Sequence, residues 1–133
     1  MVSSKKTGPA VAIVLLDRRF QDLKRKVHAA AKKIISLTKS RGGCAEIYLV
    51  NGRFMNKNVL AFRAPKNFPR PDIKGRFLGE IYLNPDYIKN HKEDIFLMLT
   101  HGFLHLLGYG HKEKADRIKM EKKEQQLFKL LSN

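Results

Sequence analysis

The stretch from Thr100 to His111, which reads THGFLHLLGYGH, constrains the fold of this chain more than any other. His101 and His105 are four residues apart, so an α-helix would place both imidazoles on one face. Gly108 is placed to end that helix, because glycine readily adopts the left-handed conformation that closes many helices. A turn there would bring His111 back toward the other two rings. Three imidazoles that leave a fourth position open are typical of a catalytic zinc site.

The residues around these histidines are apolar on nearly every side of the helix, which predicts that the helix is buried. They are Phe96, Leu97, Leu99, Phe103, Leu104, Leu106 and Leu107. Imidazoles within a buried helix need partners, because burying them unpaired is costly. We therefore predict one zinc ion bound by His101, His105 and His111, although another divalent ion such as nickel also suits imidazole ligands. The alternative is a pair of core histidines satisfied by hydrogen bonds.

The charge of the chain points to a polyanionic partner. Among 133 residues, 27 Lys and Arg face 12 Asp and Glu, which gives a formal net charge of +15. A small domain this basic most often meets nucleic acid, with an anionic membrane surface as the alternative. No apolar run is long enough to span a membrane. Cys44 is the only cysteine, so no intramolecular disulfide can form, and with no convincing signal peptide we expect a cytoplasmic protein.

The hydrophobic periodicity predicts an α+β fold, with helices packed on a small mixed four-stranded sheet and the histidine helix resembling that of zincins. We expect residues 1–8 to be a disordered basic tail and residues 9–133 to be a single domain. The predicted strands are 9–16, 44–51, 59–62 and 77–84. The predicted helices are 18–40, 85–92, 93–107 and 112–131. The first helix has one basic face, formed by Lys24, Arg25, Lys32, Lys33 and Lys39.

The chemistry expected of three histidines on a metal is hydrolysis, either of a peptide or of a phosphodiester. Their spacing matches the zinc helix of metzincin proteases, which place a glutamate directly after the first histidine as the general base. Gly102 occupies that position here and cannot accept a proton, so a peptidase is the less favoured interpretation. A phosphodiesterase needs a cation for the phosphoryl oxygens. Arg53, beside a predicted turn between two strands, is the candidate, unless it is simply a solvated loop residue.

Four segments of the chain resemble the YbeY-type endoribonucleases, also called ribosomal RNA maturation factors. HGFLHLLGYGH resembles the family signature HGxLHLxGYDH. Upstream, NKNVLAF is similar to the family's PTDVLSF strand, and LGEIYLN to its LGDIxIS strand. Downstream, MEKKEQQLF resembles the end of its last helix. The resemblance covers roughly residues 44–131 and keeps the order of the elements.

The resemblance implies a small α+β domain that binds one zinc ion through His101, His105 and His111. It implies a single-strand-specific endoribonuclease that acts in ribosomal RNA maturation, notably at the 3′ end of the small-subunit RNA, and in ribosome quality control. Arg53 is the nearest match to a family arginine that is implicated in activity. The basic face of the first helix, unless it is simply solvated, and the loop of residues 66–76 would hold the RNA. Tyr82 and Tyr109 are candidates for stacking on bases, with a structural role in the core or at the helix end as the alternative.

The chain departs from the family pattern at three positions. Gly110 replaces an aspartate before the third histidine, and Lys57 and Asn58 replace the Thr-Asp pair before the VLAF strand. The loop that carries Arg53 is also shorter than in the family. These departures leave a second hypothesis open, in which the chain is a non-catalytic, ribosome-associated RNA-binding factor whose zinc supports folding.

Overall fold

A computed structural model describes residues 11–38, 40, 42–65, 75–110 and 112–132. Within these ranges four strands form one sheet, which confirms the predicted α+β fold with a mixed sheet. The strands are β1 (Val11–Leu15), β2 (Gly43–Leu49), β3 (Val59–Arg63) and β4 (Arg76–Leu83). Their order is β1-β2-β4-β3, parallel except for β3, which runs antiparallel to β4 at one edge. The predicted tail and residues 66–74 of the basic loop lie outside the described residues.

Four α-helices follow the predicted order within the described residues. They are α1 (Gln21–Leu37), α2 (Pro85–Asn90), α3 (Ile95–Leu106) and α4 (Lys114–Leu131). The histidine helix α3 begins two residues later than predicted. Its N-cap is Asp94, whose carboxylate accepts hydrogen bonds from the amides of Phe96 and Leu97 while its own backbone stays extended.

The core lies between one face of the sheet and the helices α1 and α3. Alternate strand residues point to this face, as the two-residue repeat of a strand requires. The buried core residues of the strands include Val11, Ala45, Ile47, Leu49, Ile81 and Leu83. The buried core residues of the helices include Val27, Ala31, Ile34, Leu99, Phe103 and Leu106. The histidine helix is thus held on the sheet by its apolar residues.

Gly79 in β4 lets α3 approach the sheet closely. Its φ of 143° lies in a region that side-chain-bearing residues rarely adopt. A Cβ at this position would meet the carbonyl oxygen of Phe62 and would lie 2.8 Å from a methyl group of Leu106. The absence of a side chain therefore sets how near the last turn of the histidine helix can come to the neighbouring strands β3 and β4.

The basic face predicted for the first helix is exposed to solvent. Lys24, Arg25, Lys32 and Lys33 all lie on the outer side of α1, and Lys39 lies outside the described residues. α1 packs its opposite side on β1 and α3. Among the described helices, none combines the length and the apolar character that crossing a membrane requires.

Candidate metal centre

α3 brings His101 and His105 together, as their spacing predicts. Their Nε2 atoms lie 3.2 Å apart, and the centroids of the two rings lie 4.7 Å apart at an interplanar angle of 76°. Both residues are half-buried on the side of α3 that carries them one above the other. The two imidazoles therefore converge on one point rather than facing separate parts of the molecule.

Glu124, on the last helix, fixes the orientation of the first imidazole. Its Oε2 lies 2.6 Å from Nδ1 of His101, and its side chain is only 13% exposed. Because Nδ1 is engaged by this carboxylate, Nε2 is the nitrogen that His101 directs toward His105. A carboxylate behind a histidine is the arrangement that usually orients a metal-binding imidazole and raises its basicity.

Sequence reasoning did not assign a role to Glu124, although a signal for it exists. The residue lies four positions after Met120 and three before Leu127, both of which are buried. This spacing places it on the buried face of α4. A carboxylate on the inner face of a helix requires a partner, and the histidines were the available candidates.

The end of α3 has the glycine turn that the sequence predicts. Gly108 has a φ of 99°, its amide donates to the carbonyl of His105, and the amide of Tyr109 donates to the carbonyl of Leu104. This pair of hydrogen bonds is the Schellman motif, which closes a helix and reverses the chain direction. A Cβ at Gly108 would lie 3.2 Å from a guanidinium nitrogen of Arg63. The helix therefore ends within one turn after His105, at the glycine that the sequence predicts.

The predicted third ligand, His111, lies outside the described residues. In the described parts of the chain, no group of three or more His, Cys, Asp and Glu side chains is arranged to hold a metal ion. The two described imidazoles do fit zinc. Two nitrogens bound at about 2.0–2.1 Å to a tetrahedral ion lie about 3.4 Å apart, close to the 3.2 Å between the Nε2 atoms of His101 and His105. Without metal, the same distance suits a hydrogen bond between the rings.

A cavity of about 750 Å³ opens beside the two histidines. Such a volume is within the range of small-molecule sites, about 300–1,000 Å³. β3 forms one wall, α3 the floor and α4 the other wall. The lining residues are Asn58, Val59, Leu60, Ala61, Met98, His101, Gly102, His105, Arg117, Met120, Glu121, Glu124 and Gln125. The cavity thus combines the imidazoles with an arginine, two carboxylates and two amides.

Gly102 explains why this cavity does not reproduce a protease site. The residue is buried, and a Cβ added to it would lie 3.0 Å from Cγ2 of Ile81 in the sheet. The position directly after His101 therefore faces the packed strands. The side-chain base of the metzincin mechanism is absent here, and a larger residue would collide with the core at this point.

The predicted catalytic residue Arg53 lies in the exposed turn between β2 and β3. Its amide donates to Oδ1 of Asn51, and Nδ2 of Asn51 in turn donates to Asp17. Arg53 is not among the described residues that line the cavity, so its role stays a prediction. Arg117, which sequence reasoning did not single out, is the arginine in the lining.

The other residues that the sequence singled out do not all lie at the cavity. Asn58 lines the cavity, and its Nδ2 donates to Oε1 of Glu93. Lys57 is exposed beside it. Tyr109 is half-buried against the small apolar cluster of α3 and α4, which indicates a packing role. Tyr82 lies on the face of the sheet opposite the core.

The family match and the similar known proteins agree on one family. The sequence pattern of the family described as "Endoribonuclease YbeY" matches residues 17–132. A protein named "Endoribonuclease YbeY" from Francisella tularensis subsp. tularensis is 35% identical over 99 residues, covering 62% of this chain and 59% of the relative. One of the same name from Thermodesulfovibrio yellowstonii is 36% identical over 97 residues, covering 63% and 57%. The chain thus spans less than two thirds of the length of these relatives.

Proposed function

Since the chain belongs to the YbeY family, we propose that it is a metal-dependent endoribonuclease that cleaves single-stranded RNA. The observation that carries the proposal is the pair of imidazoles, His101 and His105, oriented by Glu124 at the edge of a cavity. We further propose ribosomal RNA as the substrate, at the 3′ end of the small-subunit RNA, with a role in ribosome quality control. The cell compartment consistent with that role is the cytoplasm.

Three histidines would hold the metal, which we propose to be zinc. His101 and His105 would supply two nitrogens from α3, and His111 would supply the third. When bound, zinc polarises a phosphoryl oxygen and lowers the pKa of a bound water toward neutrality. Glu124 keeps the ring of His101 in the binding orientation. In this assignment no side chain at position 102 takes part in the reaction, so glycine is acceptable there.

Two arginines, Arg117 and Arg53, are candidates for neutralising the negative charge of the phosphoryl group. Arg117 lies in the cavity lining, which favours it on position. Arg53 is supported by the resemblance to the family motif. Of the two carboxylates in the cavity, Glu124 is engaged with His101, so we propose Glu121 as the general acid or base.

The test is cleavage of a labelled single-stranded RNA by the full chain, with metal content measured on the same samples. We expect His101→Ala and His105→Ala to lose both zinc and cleavage. His28→Ala, on the helix α1 and outside the cavity, is the matched control and should keep both. Cleavage that persists undiminished in the two α3 variants would contradict the proposed site.

The two arginines are separated by the same assay. A variant that lowers kcat while retaining zinc identifies the residue that stabilises the transition state. We expect Arg117→Ala to behave in this way. If Arg53→Ala also does so, the turn must approach the RNA when it binds; if Arg53→Ala cleaves normally with zinc bound, its catalytic role is lost.

The second candidate function is RNA binding without cleavage, with the metal acting as a folding element. The orientation of Gly102 toward Ile81 and the glycine at position 110 favour it, because neither position supplies a side-chain base beside the metal. A wild-type chain that binds zinc and RNA but never cuts would establish this function. In that case removal of zinc should lower Tm strongly, since the ion would contribute directly to folding.

A further inference from the structure

The face of the sheet opposite the core carries a cluster of aromatic rings. Tyr48 and Tyr82 stack with centroids 4.6 Å apart, and Phe54 stacks on Tyr82 at 5.6 Å. The ring of Phe62 lies nearly perpendicular to that of Tyr82, with the two centroids 5.7 Å apart. We call Tyr48, Phe54, Phe62 and Tyr82 the aromatic face. Their residues come from β2, β3, β4 and the turn after β2, so three strands of the sheet support it.

Much of the aromatic face is open to solvent. Phe54 is 55% exposed and Phe62 is 53% exposed, the two highest values among the large apolar residues of the described chain. The helices α1 and α3, which pack on the sheet, both contact its opposite face. The exposed rings of Phe54 and Phe62 both contact Tyr82, so they belong to one contiguous apolar surface of the kind found at binding sites.

Hydrogen bonds at the centre of the aromatic face hold its tyrosines in place. The hydroxyl of Tyr48 donates to Glu46, and that of Tyr82 donates to Glu80, both at 3.1 Å. These carboxylates disfavour a phosphate directly over the rings, but they accept hydrogen bonds from the amino groups of bases. The exposed Arg53 adjoins Phe54 in the turn, and the chain carries a net charge of +15. The centre thus suits bases, and its rim suits the backbone of a polyanion.

The aromatic face is continuous with the histidine cavity through a single strand. β3 lies at the edge of the sheet, and residues 58–61 line the cavity. Val59 and Ala61 pack toward the core, whereas Leu60 and Phe62 oppose Tyr82 and Glu80 on the other face. An RNA strand bound in the cavity would therefore need to cross only the edge strand β3 to reach the aromatic face.

We propose that the aromatic face binds unpaired bases of the single-stranded RNA that flank the nucleotide held in the cavity. The proposal deepens the proposed function and rests on it for the identity of the ligand. Bases stack on aromatic side chains whatever their sequence, because every base has a π-face. The exposed rings of Phe54 and Phe62 would take the bases, while Tyr48 and Tyr82 form the rigid layer beneath them. Selection of unpaired RNA would follow, since paired bases cannot reach the rings.

The first test compares Phe54→Leu/Phe62→Leu with wild type, using a single-stranded RNA oligonucleotide. Leucine keeps an apolar side chain but removes the ring, so a change in affinity reports stacking. We expect the Kd and KM to rise roughly tenfold or more, with kcat at saturating RNA nearly unchanged. Ile118→Ala is the control, because Ile118 is also about half exposed (51%) but lies on α4. Tm of each variant establishes that folding is retained.

The second test uses Phe62→Trp, which introduces the only tryptophan into a chain that has none. Tryptophan preserves stacking, so this variant should bind RNA with wild-type affinity. Its fluorescence should be quenched by single-stranded RNA and not by a blunt RNA duplex. This variant keeps the proposal testable if the double leucine variant fails to fold.

The outcomes separate this proposal from the endoribonuclease proposal. Wild-type RNA affinity in the double leucine variant, or no quenching in Phe62→Trp while RNA binds, overturns the aromatic face as an RNA site even if cleavage is normal. Quenching in Phe62→Trp and weakened binding by the double leucine variant, with no cleavage by wild type, would support the aromatic face as an RNA site and contradict the endoribonuclease proposal. A wild-type chain that binds no RNA overturns both.

Discussion

The carboxylate of Glu124 lies 2.6 Å from Nδ1 of His101, although the two residues are 23 positions apart on different helices. This contact makes the candidate metal centre a product of α3 and α4 together. It leaves Nε2 of His101 directed at Nε2 of His105, so the last helix determines which nitrogen of His101 would be presented to the proposed metal.

Removing this carboxylate should weaken metal binding without removing a ligand. We expect Glu124→Ala to lower zinc affinity about 10–100-fold. Glu124→Gln should recover part of the loss, because its amide oxygen still accepts a hydrogen bond from Nδ1–H. The measurement is competition with a chelator of known affinity. Glu113→Ala, at the start of α4 where the side chain makes no capping hydrogen bond, is the control, and equal affinities for the Glu124 and Glu113 variants would contradict the role.

A side chain at position 102 should destabilise the fold. In Gly102→Ala the new methyl group would lie 3.0 Å from Ile81, which is fully buried and cannot move away freely. We expect a loss of about 1–3 kcal/mol in the free energy of unfolding, as in other overpacked cores. Urea denaturation measures it. Gly52→Ala, where an added Cβ meets open space, should stay within about 0.5 kcal/mol of wild type. Equal losses of unfolding free energy in the two variants would contradict the contact between position 102 and Ile81.

Gly108→Ala should impair the turn that leads toward His111. At a φ of 99° an L-residue is strained, and we expect a cost of about 1–3 kcal/mol in the free energy of unfolding. The displaced turn should also lower zinc affinity. Gly110→Ala provides the comparison, because a Cβ there meets open space and the backbone is not left-handed. A zinc affinity that is unchanged in Gly108→Ala would show that the turn does not position a ligand.

Acid should weaken the contacts that hold the Arg53 turn. Hydrogen bonds from Arg19, then from Asn51, hold the pKa of Asp17 well below its ordinary value of 3.8. A lowered folded-state pKa means that the ionised carboxylate contributes stability above pH 3.8 and loses it as the pH falls further toward the folded-state value.

The difference in unfolding free energy between wild type and Asp17→Asn should therefore be largest above pH 3.8 and shrink in stronger acid. Urea denaturation at a series of pH values measures this difference. Asn51→Ala, which removes one donor and leaves Arg19, should show a smaller effect of the same sign. A difference that stays constant down to pH 2, about two units below the ordinary value, would contradict the assignment.

Features that depend on local spacing were predictable from the sequence. The four-residue interval between His101 and His105 places both rings on one side of any helix, and Gly108 can end that helix because its preference for positive φ is a property of the residue. The strand segments follow from short apolar and β-branched runs, so the α+β class was confirmed. The predicted bounds shifted where capping competes with periodicity, as at Asp94, whose extended backbone and capping carboxylate make α3 begin at Ile95.

Features that depend on contacts between distant segments were decided by the tertiary structure. The pairing of Glu124 with His101, the orientation of Gly102 toward Ile81 and the presence of Arg117 in the cavity each join different elements. Periodicity states which side of an element is apolar, but not which neighbour will cover it. That choice depends on the summed packing of the whole core. The residues that could bind a metal could therefore be predicted from the sequence. The residues that orient them could be identified only from the packing of the helices on the sheet.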